Sequence, residues 1–168
     1  VDSVGSVSAD EFVLMTDVEV DLMFNQASYI ANDEEKKQFK KLASLEAKKN
    51  FLRQFWMNRE YDQFNNKRDF IQRANFVESR FRTKWNQGWA SDRGRVCLIY
   101  GIPEESYIER GKETEKGKPY EIWFYPTVLN GTYFVFVDES GFNNFRLVHS
   151  SHPNELHNEE WKSFLQNR

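Results

Sequence analysis

Gly88-Trp89-Ala90-Ser91-Asp92, running on into Arg93-Gly94-Arg95-Val96-Cys97-Leu98-Ile99-Tyr100-Gly101, divides the chain into two kinds of sequence. Upstream, apolar residues recur at helical spacing; downstream they alternate or run together as they do in strands. The division predicts an α+β fold: N-terminal helices packed on a mainly antiparallel sheet of about four strands, followed by a C-terminal helix. Within the dividing stretch, Arg95 to Tyr100 is apolar at nearly every position, the pattern of a strand covered on both faces, and reads as the central strand.

Working outward toward the N-terminus, Lys67 to Trp85 carries Phe70, Ala74, Val77, Phe81 and Trp85 at steps of three or four, the strongest helical signal in the chain. Gln87-Gly88 ends it. Ser44 caps a helix from Leu45 to Arg59 in which Leu45, Leu52, Phe55 and Trp56 fall together, and Asp33 caps a charged stretch through Leu42. These two stretches read as one bent helix or two. Thr16-Asp17-Val18-Glu19 has capping-box spacing and predicts a helix from Asp17 to Ala31 with Val18, Leu22, Tyr29 and Ile30 on its buried stripe. Glu11 to Met15 reads as an extended segment after a small, polar tail. The domain expectation is thus a tail over 1–15 and one domain over 16–168, helical to 87 and sheet-forming from 88.

Toward the C-terminus, Gly101-Ile102-Pro103 turns the chain, and Glu109 to Lys118 is charged and glycine-containing, as in an exposed loop. Tyr120 to Tyr125, Thr132 to Asp138 and Phe145 to His149 read as strands separated by Leu129-Asn130-Gly131 and Ser140-Gly141 turns, hence a meander. A last helix is expected from Glu155 to Leu165, docking through Leu156, Trp161, Phe164 and Leu165.

Composition narrows the function classes. A chain of 168 residues with 39% hydrophobic residues is long enough for a sizeable core, and 16% aromatic residues makes that core rich in Phe, Tyr and Trp. A net charge of -3 argues against a general nucleic-acid binder. The basic stretch Arg68 to Arg82 reads instead as the solvated flank of an amphipathic helix. Cys97 is the single cysteine and sits among apolar neighbours, so it reads as a small buried hydrophobe and excludes an internal disulfide. No segment has the ~20 apolar residues of a membrane span. The opening Val1-Asp2-Ser3-Val4, without an initiator methionine, reads as a mature form or a piece of a longer protein.

Several motifs together carry a resemblance. Phe51-Leu52-Arg53-Gln54-Phe55-Trp56-Met57-Asn58-Arg59, Arg73-Ala74-Asn75-Phe76, the Gly88 to Asp92 pentapeptide, Asp92-Arg93-Gly94-Arg95-Val96 and Tyr100-Gly101-Ile102-Pro103 resemble consecutive elements of the GWxTD domain family. So do the strands Pro119 to Tyr125, Phe134 to Asp138 and Arg146 to Ser150. Ser91 stands in place of the motif threonine and keeps its hydroxyl, and Glu60 replaces an aspartate. The resemblance implies a bacterial, exported protein, periplasmic or associated with the outer membrane. It implies no catalytic residue and no cofactor. Its partner would be another envelope protein or another domain of the parent chain.

The residues themselves leave two readings of the motif. In one, Gly88, Trp89, Ser91, Asp92, Arg93, Gly94 and Arg95 form a structural latch, with Asp92 and Ser91 accepting backbone N–H bonds and Trp89 anchored in the core. In the other, Asp92 is a general base and Arg93 or Arg95 binds an anion, as in a hydrolase or small-ligand site. Trp123 and Tyr125, with Asp92, Arg95 and His149, are candidates for a ligand or partner surface, Trp123 and Tyr125 as a stacking platform for sugars. His149, His152 and His157 with Glu155 and Glu159 match no zinc spacing and read as a solvated connection, so no metal site is expected. Glu121 and Glu104-Glu105 read as surface charges.

Overall fold

The computed structural model describes residues 10–112 and 117–165. Its backbone clusters into two compact units, Val1–Lys67 and Arg68–Arg168, and each is taken separately.

The first unit holds three helices, α1 (Asp17–Ala27), α2 (Asp33–Lys40) and α3 (Leu45–Met57). Each starts on a side-chain cap: Thr16 and Asn32 form full capping boxes with Glu19 and Glu35, and Ser44 Oγ accepts the Ala47 N–H. The cap of α2 is thus Asn32 and not Asp33, and α2 and α3 are separate helices. The buried stripe of α1 is Val20, Phe24 and Ala27, while Val18 and Leu22 are exposed. The face is set by Phe24, whose ring stacks on Phe39 at 4.0 Å and meets Phe51 edge-on at 5.3 Å. Tyr29 and Ile30 lie beyond the helix end and are half-buried. Arg59 covers the Phe55 ring at 3.7 Å while pairing with both Glu35 oxygens at 2.8 and 2.7 Å. Residues 11–14 form a turn instead of an extended segment, pinned where buried Lys49 donates to the Val13 carbonyl at 2.8 Å. The N-terminal tail up to residue 9 lies outside the described residues.

The second unit contains α4 (Lys67–Phe81) from its second residue on, α5 (Asp92–Tyr100) and an antiparallel meander β1 (Ile108–Lys112), β2 (Pro119–Tyr125), β3 (Thr132–Asp138) and β4 (Phe145–Ser150) in the order β1-β2-β3-β4. The fold is α+β. Two expectations exchange roles. The stretch read as the central strand is α5, apolar almost throughout because Val96, Cys97 and Leu98 are completely buried on all sides. A fully buried helix and a fully buried strand share that pattern. The fourth strand is β1, within the segment read as a loop; its Glu109, Arg110 and Lys112 are the charges of an edge strand. Positions 113–116 of that segment lie outside the described residues.

The helix-facing side of the sheet carries Trp123, Tyr125, Phe134 and Phe136. The Phe81 ring of α4 lies 5.9 Å from Trp123, and Tyr100 of α5 lies 5.0 Å from Phe134. The other side buries Val135, Val137 and Val148 under Leu165, Trp161 and Phe164. This last group comes from a 3-10 turn, Trp161–Leu165, where a helix from Glu155 was expected. Side-chain and backbone ties to β4 hold residues 151–158 out of helical geometry: Ser150 N–H bonds the Leu156 carbonyl at 2.7 Å and Asn158 N–H bonds His149 Nδ1 at 2.9 Å. Leu156 is exposed. Likewise α4 stops at Phe81, and Trp85 lies 65% exposed in the following turn.

Candidate functional site

Gly88–Ala90 is a single 3-10 turn, and Ser91 after it is the N-cap of α5. The Ser91 hydroxyl accepts the Gly94 N–H at 3.0 Å and donates to the Gly88 carbonyl at 2.6 Å, so one side chain closes the turn and opens the helix. Both glycines are fixed by close approach. A Cβ on Gly94 would lie 2.0 Å from the Gly88 carbonyl oxygen, and one on Gly88 would lie 2.1 Å from the Val77 carbonyl oxygen of α4. The motif therefore stacks three pieces of backbone, α4, turn and α5, at distances only glycine permits. Trp89 is half-buried; its backbone N–H donates to Glu78 Oε2 at 3.3 Å and its indole to the Gln87 side chain.

From the start of α5 three charged side chains diverge. Asp92 Oδ2 accepts the Leu147 N–H of β4 at 2.7 Å, joining helix start to sheet edge. Arg95 forms a fork with Glu155, at 2.9 and 2.6 Å, and Tyr100 Oη donates to the same carboxylate at 2.8 Å. Burial pushes the Glu155 carboxyl up, but the bonds from Arg95 and Tyr100 outweigh it and hold the acid below its ordinary range. Arg95 and Tyr100 thereby clamp the chain beyond β4 onto α5.

Arg93 points elsewhere, because residues two apart on a helix face nearly opposite ways. Its guanidinium lies between the rings of Phe81 and Phe145, at 4.7 and 4.1 Å, and donates to the Asn143 carbonyl at 3.0 Å and to Glu121 at 3.4 Å. Asn143 is held by Asp138, which accepts its N–H at 2.8 Å. Glu121 also accepts from Arg110 Nε at 3.3 Å and from the Trp123 indole at 2.9 Å. Contrary to expectation Glu121 is buried; it shares the inward side of β2 with Trp123 and Tyr125. A charge at an inward-facing step of a strand signals a buried partner, and that alternation was present in the sequence.

Beside this group, between the C-terminal half of α4 and the inner side of β1 and β2, lies a cleft of about 50 Å³. Arg80, Arg93 and Arg110 contribute to its walls with Glu105 and Glu121, and Phe76, Ile108 and Trp123 supply apolar surface.

The remaining candidates are occupied inside the fold. Trp123 is 1% exposed and Tyr125 6%, with the Tyr125 hydroxyl donating to the Gly101 carbonyl at 2.8 Å, so neither offers a platform to sugars. His149 is buried too. Its Nδ1 accepts the Asn158 N–H, which leaves the proton on Nε2 to donate to Tyr133 Oη at 3.1 Å. Burial, reinforced by neighbouring His157, lowers the His149 pKa below its ordinary value. His157 Nδ1 donates to the Ser150 carbonyl at 3.2 Å and His152 Nδ1 accepts the Asn154 N–H at 3.2 Å. Among the described residues no three His, Cys, Asp or Glu side chains gather as metal ligands. Burial raises the Cys97 thiol pKa far above its ordinary value, so the thiol stays protonated and inert.

The fold and the motif together define an α+β domain whose signature residues bind its own helix, turn and sheet to one another. The chain belongs to the GWxTD domain family, which it matches over residues 6–166. No curated protein and no solved structure matches it.

Proposed function

We propose that this chain is a non-catalytic protein-interaction domain of a bacterial exported protein, working in the periplasm or at the outer membrane with another envelope protein or another domain of its parent chain. The bacterial and envelope parts of this reading rest on the earlier family resemblance. The interaction part rests on one observation above all: the Asp92 carboxylate, the group best suited by type to act as a base, is bonded at 2.7 Å to a backbone N–H of β4. With Ser91 committed to a cap and Arg95 to Glu155, recognition falls to the exposed surface. Among the described residues no helix is long and apolar enough to cross a membrane.

Cross-linking capture from envelope extracts tests the proposal. A partner recovered equally by wild type and by Asp92→Asn is the expected result, since asparagine still offers an oxygen to the Leu147 N–H. Turnover in a broad hydrolase screen that disappears in Asp92→Asn would establish the hydrolase alternative instead.

A second reading, glycan binding, is favoured by a different set of aromatics from the pair expected. Phe124 and Tyr133 are cross-strand partners on the outer side of the sheet, 40% and 37% exposed, and Tyr107 meets Phe124 edge-on at 5.9 Å. Binding on a glycan array that is lost in Phe124→Ala would support it, and an array without signal would remove it.

A further inference from the structure

The cleft beside Arg93 has a charge problem that its own residues leave unsolved. Three guanidinium groups, Arg80, Arg93 and Arg110, face two carboxylates, Glu105 and Glu121. Both carboxylates are already committed. Glu121 accepts from Arg93, Arg110 and Trp123, and Glu105 takes both terminal nitrogens of Arg110. Among the described residues Arg80 has no hydrogen-bonded or ion-paired partner. Arg93, whose side chain is only 6% exposed, spends its terminal nitrogens on Glu121 and Asn143 and keeps a buried Nε–H without an acceptor. Among the lining side chains positive charges outnumber negative ones by one, in a cleft with partly apolar walls, where field lines concentrate.

The size of the cleft restricts what can neutralise that charge. A free volume of about 50 Å³ has room for a few water molecules or one small group, at about 10–15 Å³ of such space per water. A carboxylate fits that space; a sugar ring, a nucleotide or an organic cofactor, which need pockets of roughly 300 Å³ or more, does not. A carboxylate also matches the charge, since a single negative charge balances the surplus where a phosphate dianion would overshoot it. Phe76 and Ile108 flank the opening with apolar surface suited to the chain that carries the carboxylate.

We propose that the cleft bounded by Arg80, Arg93 and Arg110 binds one carboxylate of a partner polypeptide, an aspartate or glutamate side chain or a chain terminus, held chiefly by Arg80. The proposal rests on the interaction reading above and names the chemistry of the group recognised. Arg80 supplies the accessible donors, while Arg110, already bonded to Glu105 and Glu121, and Arg93 add fixed positive charge behind them. The Trp123 indole N–H, bonded to Glu121 at the base of the cleft, reports any shift of that network.

The test is a titration of the full chain at pH 7, following the Trp123 indole and the Arg110 and Arg80 Nε–H signals in nitrogen–proton NMR spectra. Sodium acetate is the probe, with acetamide at the same concentrations as the neutral control. Saturable shifts with acetate, absent with acetamide and weakened about tenfold in Arg80→Gln, are expected. Arg146→Gln, on β4 and away from the cleft, should behave as wild type. Non-saturating shifts, equal shifts with acetamide, or an undiminished response in Arg80→Gln overturn the site. Arg80→Glu then goes into the cross-linking capture experiment and should lose the partner that Asp92→Asn retains. Capture undiminished by Arg80→Glu overturns the polypeptide assignment and leaves the interaction reading standing. Saturable acetate binding without any captured partner retains the cleft and removes that reading.

Discussion

Arg93 and Arg95 stand two residues apart on one helix and live in opposite circumstances. Arg95 reaches a carboxylate whose two oxygens match its two donors, with Tyr100 completing the set, and its guanidinium is held firmly in the charged form by that bond. Arg93 lies sandwiched between two rings, shares Glu121 with two other donors, and keeps an Nε–H without an acceptor. Burial pulls its pKa down more than the Glu121 charge restores it. One side of α5 is therefore electrostatically closed and serves to hold the fold together. The other carries surplus positive charge and opens on a cleft. A short motif can thus tie a structure together on one flank and leave a binding capacity on the other.

The change that should break both flanks at once is Gly94→Ala. Its methyl group would meet a backbone oxygen, which cannot rotate away, so helix and turn must separate. We expect a loss of about 3 kcal/mol or more by denaturant unfolding. On the Arg93 side, Glu121→Ala would leave two guanidinium groups and an indole facing an empty place, and about 2–3 kcal/mol should be lost. On the Arg95 side, Glu155→Gln keeps one acceptor for a partly exposed guanidinium, and a smaller loss of about 1–2 kcal/mol is expected. If the two glutamate changes rank in the reverse order, the contrast between the flanks fails.

The closed flank also sets a pH dependence. Glu155 has a folded pKa below its unfolded one, so its contribution is present above the ordinary carboxylate value of 4.5 and is lost as pH falls through the lower folded value. His149 has a folded pKa below its unfolded one as well. The unfolded chain then binds the proton more readily, and stability declines as pH drops below about 6.5. Melting temperatures measured from pH 8 to pH 3 should fall in two stages, and His149→Gln should remove the upper one. Smallest of all, Arg80→Gln should change stability by less than about 0.5 kcal/mol, because the side chain is exposed and without a bonded partner.

How legible this was follows from which signals are local. Thr16, Ser44 and the Phe70 to Phe81 spacing place helix starts and a buried stripe through contacts within a turn or two, and the structure keeps them. Alternation and turn residues likewise placed β2, β3 and β4. The Val96 to Ile99 run reads as a strand because burial of Val96, Cys97 and Leu98 on all sides erases helical periodicity. The deciding signal was at its ends: a serine cap at Ser91 and Gly101 with φ 102° closing the last turn, nine residues of helix between them. The C-terminal segment kept its docking residues Trp161, Phe164 and Leu165 but not its helix, since ties to β4 from a distance in sequence override propensity. The candidate surface was placed one step out of register. Trp123 and Tyr125 face the helices while Phe124 faces solvent, and period-2 alternation fixes only that neighbours differ, not which of them is inside. Arg80 and its surplus charge could not be read at all, because they arise from α4 and the β1–β2 hairpin meeting in space.

The central claim is that Asp92 is a structural ligand of the sheet edge, and the exchange rate of one amide tests it most directly. Leu147 N–H lies on β4 and donates to Asp92 Oδ2 at 2.7 Å. Native-state hydrogen exchange should show this amide protected in the wild type. In Asp92→Ala its exchange should accelerate at least tenfold more than that of Val135 in the centre of the sheet, the equivalent of about 1.4 kcal/mol of local bonding. A Leu147 amide that exchanges freely in the wild type, or that keeps its relative protection in Asp92→Ala, would contradict the account and return Asp92 to the search for a reaction.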